Sequence, residues 1–128
     1  MPKQDYYQKL FFVGALWNWA ATLTFAVGYP ILFPLFGMKL PTYPVFFLMF
    51  LGLAFVFGIG YYWVSMDLNR NHDIVKMGVL GKLLVFVALL WAGVTGQVHF
   101  ILIGAGIVDL VFAILYMEFL STVKKHGA

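Results

Sequence analysis

Four long apolar runs alternate along the chain with short segments that hold most of the charge. They cover roughly Leu10–Tyr29, Val45–Met66, Lys76–Val94 and Val98–Leu120. A helix that crosses the hydrocarbon of a bilayer needs roughly 20 mostly apolar residues, and each run meets that length. Barrel strands would alternate apolar and polar residues in segments of about ten. These runs are longer and uniformly apolar. The pattern therefore predicts an all-α fold, an integral membrane four-helix bundle forming a single transmembrane domain. No internal repeat is visible, so an inverted-repeat transporter within one chain is not supported.

The connections carry their own signals. Residues 30–44 hold Pro30, Pro34, Pro41 and Pro44. Proline lacks the N–H that a helix interior needs. Ile31, Leu32, Phe33, Leu35 and Phe36 are nevertheless apolar. This segment is expected to be an outer connection lying in the interface, or a short re-entrant piece packed on protein. Thr95, Gly96 and Gln97 read as a tight turn that makes a hairpin of spans three and four. Lys3 and Lys9 before the first run give it the look of a secretory leader. Its length, its Trp17, Asn18 and Trp19, and the lack of a small-x-small cleavage site make a span the expected reading.

Composition supports the same class. Of 128 residues, 63% are hydrophobic and 10% charged, and the mean hydropathy is +0.94. Soluble domains carry about 25% charged residues, so a soluble globular enzyme is excluded. Disordered chains are poor in apolar residues, which excludes disorder too. The basic residues set the orientation. Lys3, Lys9, Arg70, Lys76, Lys124 and Lys125 fall on one side of a four-span bundle, and Lys39 alone on the other. Lysine and arginine accumulate in cytoplasmic segments, so both termini are expected in the cytoplasm. An odd number of spans would split the basic clusters. The chain has no cysteine, which removes disulfides, thiol catalysis and Cys-ligated metals from consideration. No cofactor is implied and no nucleic-acid motif is present. The expected partners are the lipid bilayer and either further copies of the chain or another membrane protein.

Candidate chemistry lies in the polar residues inside the spans, because an ionisable group in hydrocarbon requires a partner or a role. At 1.5 Å per residue from the cytoplasmic ends, Asn18 lies roughly 12–15 Å deep and Asp109 roughly 16 Å. Lys82 lies roughly 9 Å deep, and Tyr61 and Tyr62 roughly 6–8 Å. Small residues flank them at helical spacing: Gly14, Asn18 and Thr22 on span one, and Ala105, Asp109 and Ala113 on span four. Gly78 lies one turn from Lys82, and Ala54 one turn from Gly58. Small stripes let helices approach closely, so Gly14, Gly58 and Gly81 are expected at helix contacts and the polar groups inside the bundle. Asn18, Tyr61, Lys82 and Asp109 form the candidate site for an ion, proton or polar head group. Two structural alternatives stand beside it. A Lys82–Asp109 pair can simply fix register, or Lys82 can snorkel to the interface.

Other motifs are weaker. Asp67-Leu68-Asn69-Arg70-Asn71-His72-Asp73 begins like a calcium loop, but His72 stands where glycine is needed and Gly78 where glutamate is needed. Asn71 or Asp73 is instead expected to cap span three through a side-chain oxygen. His72 is expected to be a solvated loop residue. His99 and His126 lie too far along the bundle to join it in a metal site. Glu118 is expected at the cytoplasmic interface near Lys124 or Lys125. Trp17 and Trp19 point to different faces, so at most one can line a site, and packing is the default for both.

The stretch with Tyr61, Asp67, Arg70, Ile74-Val75, Gly78 and Gly81-Lys82 resembles small uncharacterised four-helix membrane proteins of bacteria. Asp109-Leu110-Val111-Phe112-Ala113-Ile114-Leu115-Tyr116 carries the same resemblance. In size and topology the chain is also similar to the DoxX-like group. The resemblance covers the second half of the chain and implies a bacterial inner-membrane protein. It assigns no substrate or catalytic residue, and the cysteines of quinone-reducing membrane proteins are absent. Two functions are carried forward. One is an intramembrane polar site that binds or moves a small solute, proton or lipid-like ligand. The other is a non-catalytic accessory subunit of a larger membrane complex.

Overall fold

The computed structural model describes residues 3–126. It consists of α1 (Gln4–Leu35), α2 (Pro44–Met66), α3 (His72–Val94) and α4 (Ile101–Lys125), with no strand among the described residues. All four are long and apolar enough to cross a membrane. The chain is a multi-pass membrane protein, an all-α four-helix bundle. Both helical termini, Gln4 and Lys125, lie at one end with the 67–71 connection, here called the basic end.

The first helix is longer at both ends than its apolar run. At its start Asp5 lies in the first turn, where a carboxylate complements the partial positive charge of the helix N-terminus. Tyr7 is fully buried there, so packing on α4 holds the amphipathic opening turns in place. At its other end α1 continues through Pro30 and Pro34 to Leu35. The 30–44 segment is thus helix in its first part and connection only afterwards. Each proline leaves one carbonyl of the preceding turn, on Ala26 and Pro30, without an i+4 donor. Membrane helices tolerate this where neighbouring groups compensate. Pro44 opens α2, a position where the missing N–H has no intrahelical role.

Glycine ends both helices at the opposite end of the bundle. Gly37 and Gly96 take φ of 70° and 78°, which costs a residue without Cβ little. Met38 N–H donates to Phe33 O at 2.8 Å, and Gln97 N–H to Ala92 O at 2.8 Å. These are the six-to-one bonds of a Schellman ending.

The 67–71 connection differs from the expected cap. Asn71 occupies the N-cap position of α3 with a left-handed backbone and no side-chain cap bond. Asp73 pairs with Lys76 at 3.3 Å instead. Asp67 Oδ1 accepts from Asn69 N–H at 3.0 Å, and His72 donates from Nε2 to Leu68 O at 2.8 Å. His72 is half-buried against Phe119, with ring centroids 5.9 Å apart, so it is a structural element of the turn.

The helices pair as two hairpins, α1–α2 and α3–α4, and the hairpins pack on each other unevenly. The buried apolar core lies in the basic half. It contains Tyr7, Phe11 and Ala15 of α1, Tyr61 and Val64 of α2, Val75 and Val79 of α3, and Phe112, Ala113, Tyr116 and Phe119 of α4. Phe11 stacks on Tyr116 at 4.5 Å and meets Phe119 edge-on at 4.9 Å. Tyr116 in turn lies 5.2 Å from Tyr61. Lys3 and Glu118 bridge α1 and α4 at 3.1 Å, so Glu118 pairs with Lys3 rather than with Lys124 or Lys125. Its carboxylate holds the exposed Lys3 ammonium above the ordinary lysine value. Thr122 donates to Glu118 O at 3.1 Å, which leaves Tyr7 as the donor in the 2.9 Å Tyr7–Thr122 bond.

Beyond Thr22 on α1 and Lys82 on α3 these two helices have no buried residue among those described, and α2 and α4 bury only Leu51 and Gly106 at those levels. In this half the hairpins stand apart. Phe36 and His99, with ring centroids 5.5 Å apart, join them at the far end.

Candidate functional site

Four helices bring polar groups to one level, where the tight half meets the open half. Lys82 sits ten residues into α3, about 15 Å from His72 at the helical rise. This is deeper than the position counted from Lys76, because α3 begins at His72. Its Nζ donates to Asp109 Oδ1 at 2.8 Å and to Asn18 Oδ1 at 3.1 Å. Trp17 Nε1 donates to the same Asp109 oxygen at 3.2 Å. Asn18 turns its amide nitrogen to Ala54 O on α2 at 2.8 Å, and Thr22 donates to Asn18 O at 2.6 Å. The Lys82 residue is only 4% exposed. A snorkelling lysine would carry its ammonium to the interface, so that alternative is set aside.

Two rings also lie near the ammonium. The Tyr61 centroid lies 5.2 Å from Lys82 Nζ and that of Phe112 lies 5.1 Å away. Both are within reach of a cation–π attraction, which strengthens when water is excluded. Tyr61 thus joins the cluster by its ring. Its hydroxyl lies against Gly78, where an added Cβ would be 2.7 Å away.

Close approach depends on particular glycines. Gly14 leaves room for the Tyr116 hydroxyl, and Gly58 for the Trp19 indole at 2.7 Å from a would-be Cβ. Trp19 Nε1 donates to Phe55 O at 3.3 Å, fixing α1 on α2. Gly81 differs from the expectation. A Cβ there would meet only Phe57, at 3.7 Å, in ordinary contact. Gly81 borders a cavity, with only the Phe57 ring of α2 in contact range.

That cavity has a volume of about 310 Å³ and reaches from Asn18, Lys82 and Asp109 up to Phe33, Phe47 and Leu89. Its walls are almost wholly apolar and its polar groups gather at one end, as in small-molecule sites. Asn18, Tyr61, Lys82 and Asp109 all line it. Trp17 and Phe112 are the cluster members not singled out from the sequence. Two spacings point to them. Trp17, Ala21 and Phe25 form an i, i+4, i+8 stripe beside that of Asn18 and Thr22. Phe112 follows Asp109 by three residues and shares its face.

The fold and the cluster define a class: a small multi-pass bundle with an ion pair buried inside the membrane and an apolar cavity above it. No family model, curated protein or solved structure matches the chain. The functional reading therefore rests on the geometry of the cluster and cavity.

Proposed function

We propose that this chain binds a small lipid-soluble molecule inside the bilayer, with the Lys82–Asp109–Asn18 cluster as its polar anchor. The observation that carries this is the placement of an ion pair at the end of an apolar cavity, not in the packed core. A pair serving only helix register gains nothing from such a cavity. Of the ligands considered, a lipid-like one fits best. The basic half is closed beneath the cluster by Tyr61, Phe112 and Tyr116, which disfavours a continuous path for a solute. The basic bias supports a cytoplasmic location for both termini, and the bacterial inner membrane is the proposed location. Further copies of the chain or another membrane protein are the proposed partners for the lipid-facing surface.

Native mass spectrometry of the protein released from gentle detergent tests the reading. A small apolar molecule should remain bound to wild type and be lost from Gly81→Leu, whose side chain enters the cavity. Stoichiometric retention of a larger protein with no small molecule would overturn it in favour of an accessory subunit.

A further inference from the structure

The open hydrogen-bonding positions of the cluster define what the ligand must carry. This step rests on the ligand-site reading above. An ammonium has three N–H donors, and Lys82 uses two, on Asn18 and Asp109. Asp109 Oδ1 accepts twice, from Lys82 and Trp17, while Oδ2 accepts from no described residue. The end of the cavity thus offers one donor and one acceptor side by side on an ion pair of zero net charge. A carbonyl uses only the donor. A carboxylate or an amine adds a net charge to a neutral pair within apolar walls, which is costly in a low dielectric. A hydroxyl donates to Asp109 Oδ2 and accepts from Lys82 at once.

The walls fix the rest of the molecule and its route. From Lys82 to Leu89 the cavity extends seven residues along α3, about 10 Å at the helical rise. At its side, Phe50 and Leu53 of α2 and Leu84 of α3 both line the cavity and stand exposed. All are apolar, so the mouth between α2 and α3 faces lipid. The far end is joined by the Phe36–His99 contact. We infer that the cavity takes a slender apolar molecule bearing a single neutral hydroxyl, admitted sideways from the membrane leaflet opposite the basic end.

Trp17 lines the cavity while Trp19, Trp63 and Trp91 do not, so its fluorescence reports occupancy. Protein in nanodiscs would be titrated with three probes at about pH 8, well above the ordinary carboxylate range. They are decanol brominated beside its hydroxyl, decanoate brominated beside its carboxylate, and bromodecane. The alcohol should quench saturably and bind at least about tenfold tighter than bromodecane, the ratio expected from one charge-assisted hydrogen bond. Decanoate should bind more weakly than the alcohol. Trp17→Phe should lose the saturable signal, and Gly81→Leu should lose binding. Asp109→Asn leaves the lysine charge unbalanced, so decanoate should overtake the alcohol. Equal binding of alcohol and bromodecane, or a wild-type preference for decanoate, would overturn the hydroxyl assignment and leave a ligand site standing. Absence of saturable quenching by all three probes would remove the ligand site itself.

Discussion

The Lys82–Asp109 pair allows a test in which single and double substitutions give opposite answers for partners and for bystanders. Lys82→Met removes the ammonium and leaves the Asp109 carboxylate with the Trp17 indole as its one described donor. A charge near the centre of a membrane helix costs about 2.5–3.5 kcal/mol on insertion scales. Breaking a buried pair in soluble proteins costs about 3–5 kcal/mol, because the remaining charge has no partner. Both routes put Lys82→Met near 3 kcal/mol of destabilisation, on the order of those costs. Asp109→Leu should cost a similar amount, since Tyr61, Phe112 and Tyr116 block the retreat of Lys82 toward the basic end. Asp109→Asn should be milder, because its amide oxygen can still accept from the ammonium. Independent sites would make the Lys82→Met, Asp109→Leu double variant worse by the sum, about 6 kcal/mol. Partners should make it milder than either single variant, because no unpaired charge then remains. Unfolding in mixed micelles, followed by helical circular dichroism, measures the cycle. Additivity within about 0.5 kcal/mol would refute the pairing.

Three further outcomes follow from the same structure. Leucine at Gly14 or Gly78 should destabilise by about 1–3 kcal/mol or more through overpacking, whereas alanine at Gly81 should be close to neutral; equal thermal stability of all three variants in detergent would contradict the assigned faces. Tyr116 Oη is buried without a hydrogen-bond partner, so Tyr116→Phe should leave stability unchanged or raise it, while Tyr7→Phe, which loses the Thr122 bond, should lower it by about 0.5–1.5 kcal/mol; the reverse order in thermal unfolding would show these hydroxyl environments to be misassigned. A periplasmic reporter should be active when fused after Lys39 and silent when fused at the C-terminus, and activity at the C-terminus would invert the orientation.

The four helices were legible because the bilayer imposes one dominant requirement on sequence, a run of apolar residues of sufficient length. Their ends were less so. Packing decides them: Tyr7 is part of a polar-looking opening segment, yet it is buried on α4 and carries the helix with it. Pro30 and Pro34 suggested a connection because an isolated helix would break there, while the membrane leaves the backbone no water to turn to. The convergence of Asn18, Lys82 and Asp109 was readable from the rarity of such groups in hydrocarbon and from the small residues beside them. The role of Gly81 was not. Whether a small residue admits a neighbouring helix or borders a cavity depends on the splay of the hairpins, which no periodicity encodes. Glu118 was read from its nearest basic residues in sequence, and the side-chain contacts between α1 and α4 across the two hairpins supplied Lys3 instead.

The same splay bears on whether the proposed site would bind a ligand or move it. Bulky rings fill the basic half: Phe11, Tyr61, Phe112, Tyr116 and Phe119 interlock beneath the ion pair. In the other half Val27 and Ile31 of α1 and Leu84 and Val94 of α3 are largely exposed. Transfer across the membrane would require the ring cluster to part while the open half closed, so that Lys82 and Asp109 faced the basic end. Tyr61 and Tyr116 rest against Gly78 and Gly14, where even an added Cβ would collide with their rings and hydroxyls. Moving them would separate α3 from α2 and α1 from α4 together, with no bulk hydrophobic force between helices in lipid to restore the contacts. On the proposed reading, the architecture fits a binding site open to one leaflet better than a two-sided transporter. A short bifunctional cross-link between cysteines placed at Lys3 and Glu118, which bridge α1 and α4 at the basic end at 3.1 Å, separates the two. Ligand binding from the open leaflet should survive the cross-link, and its loss would show that the basic half must open for the site to work.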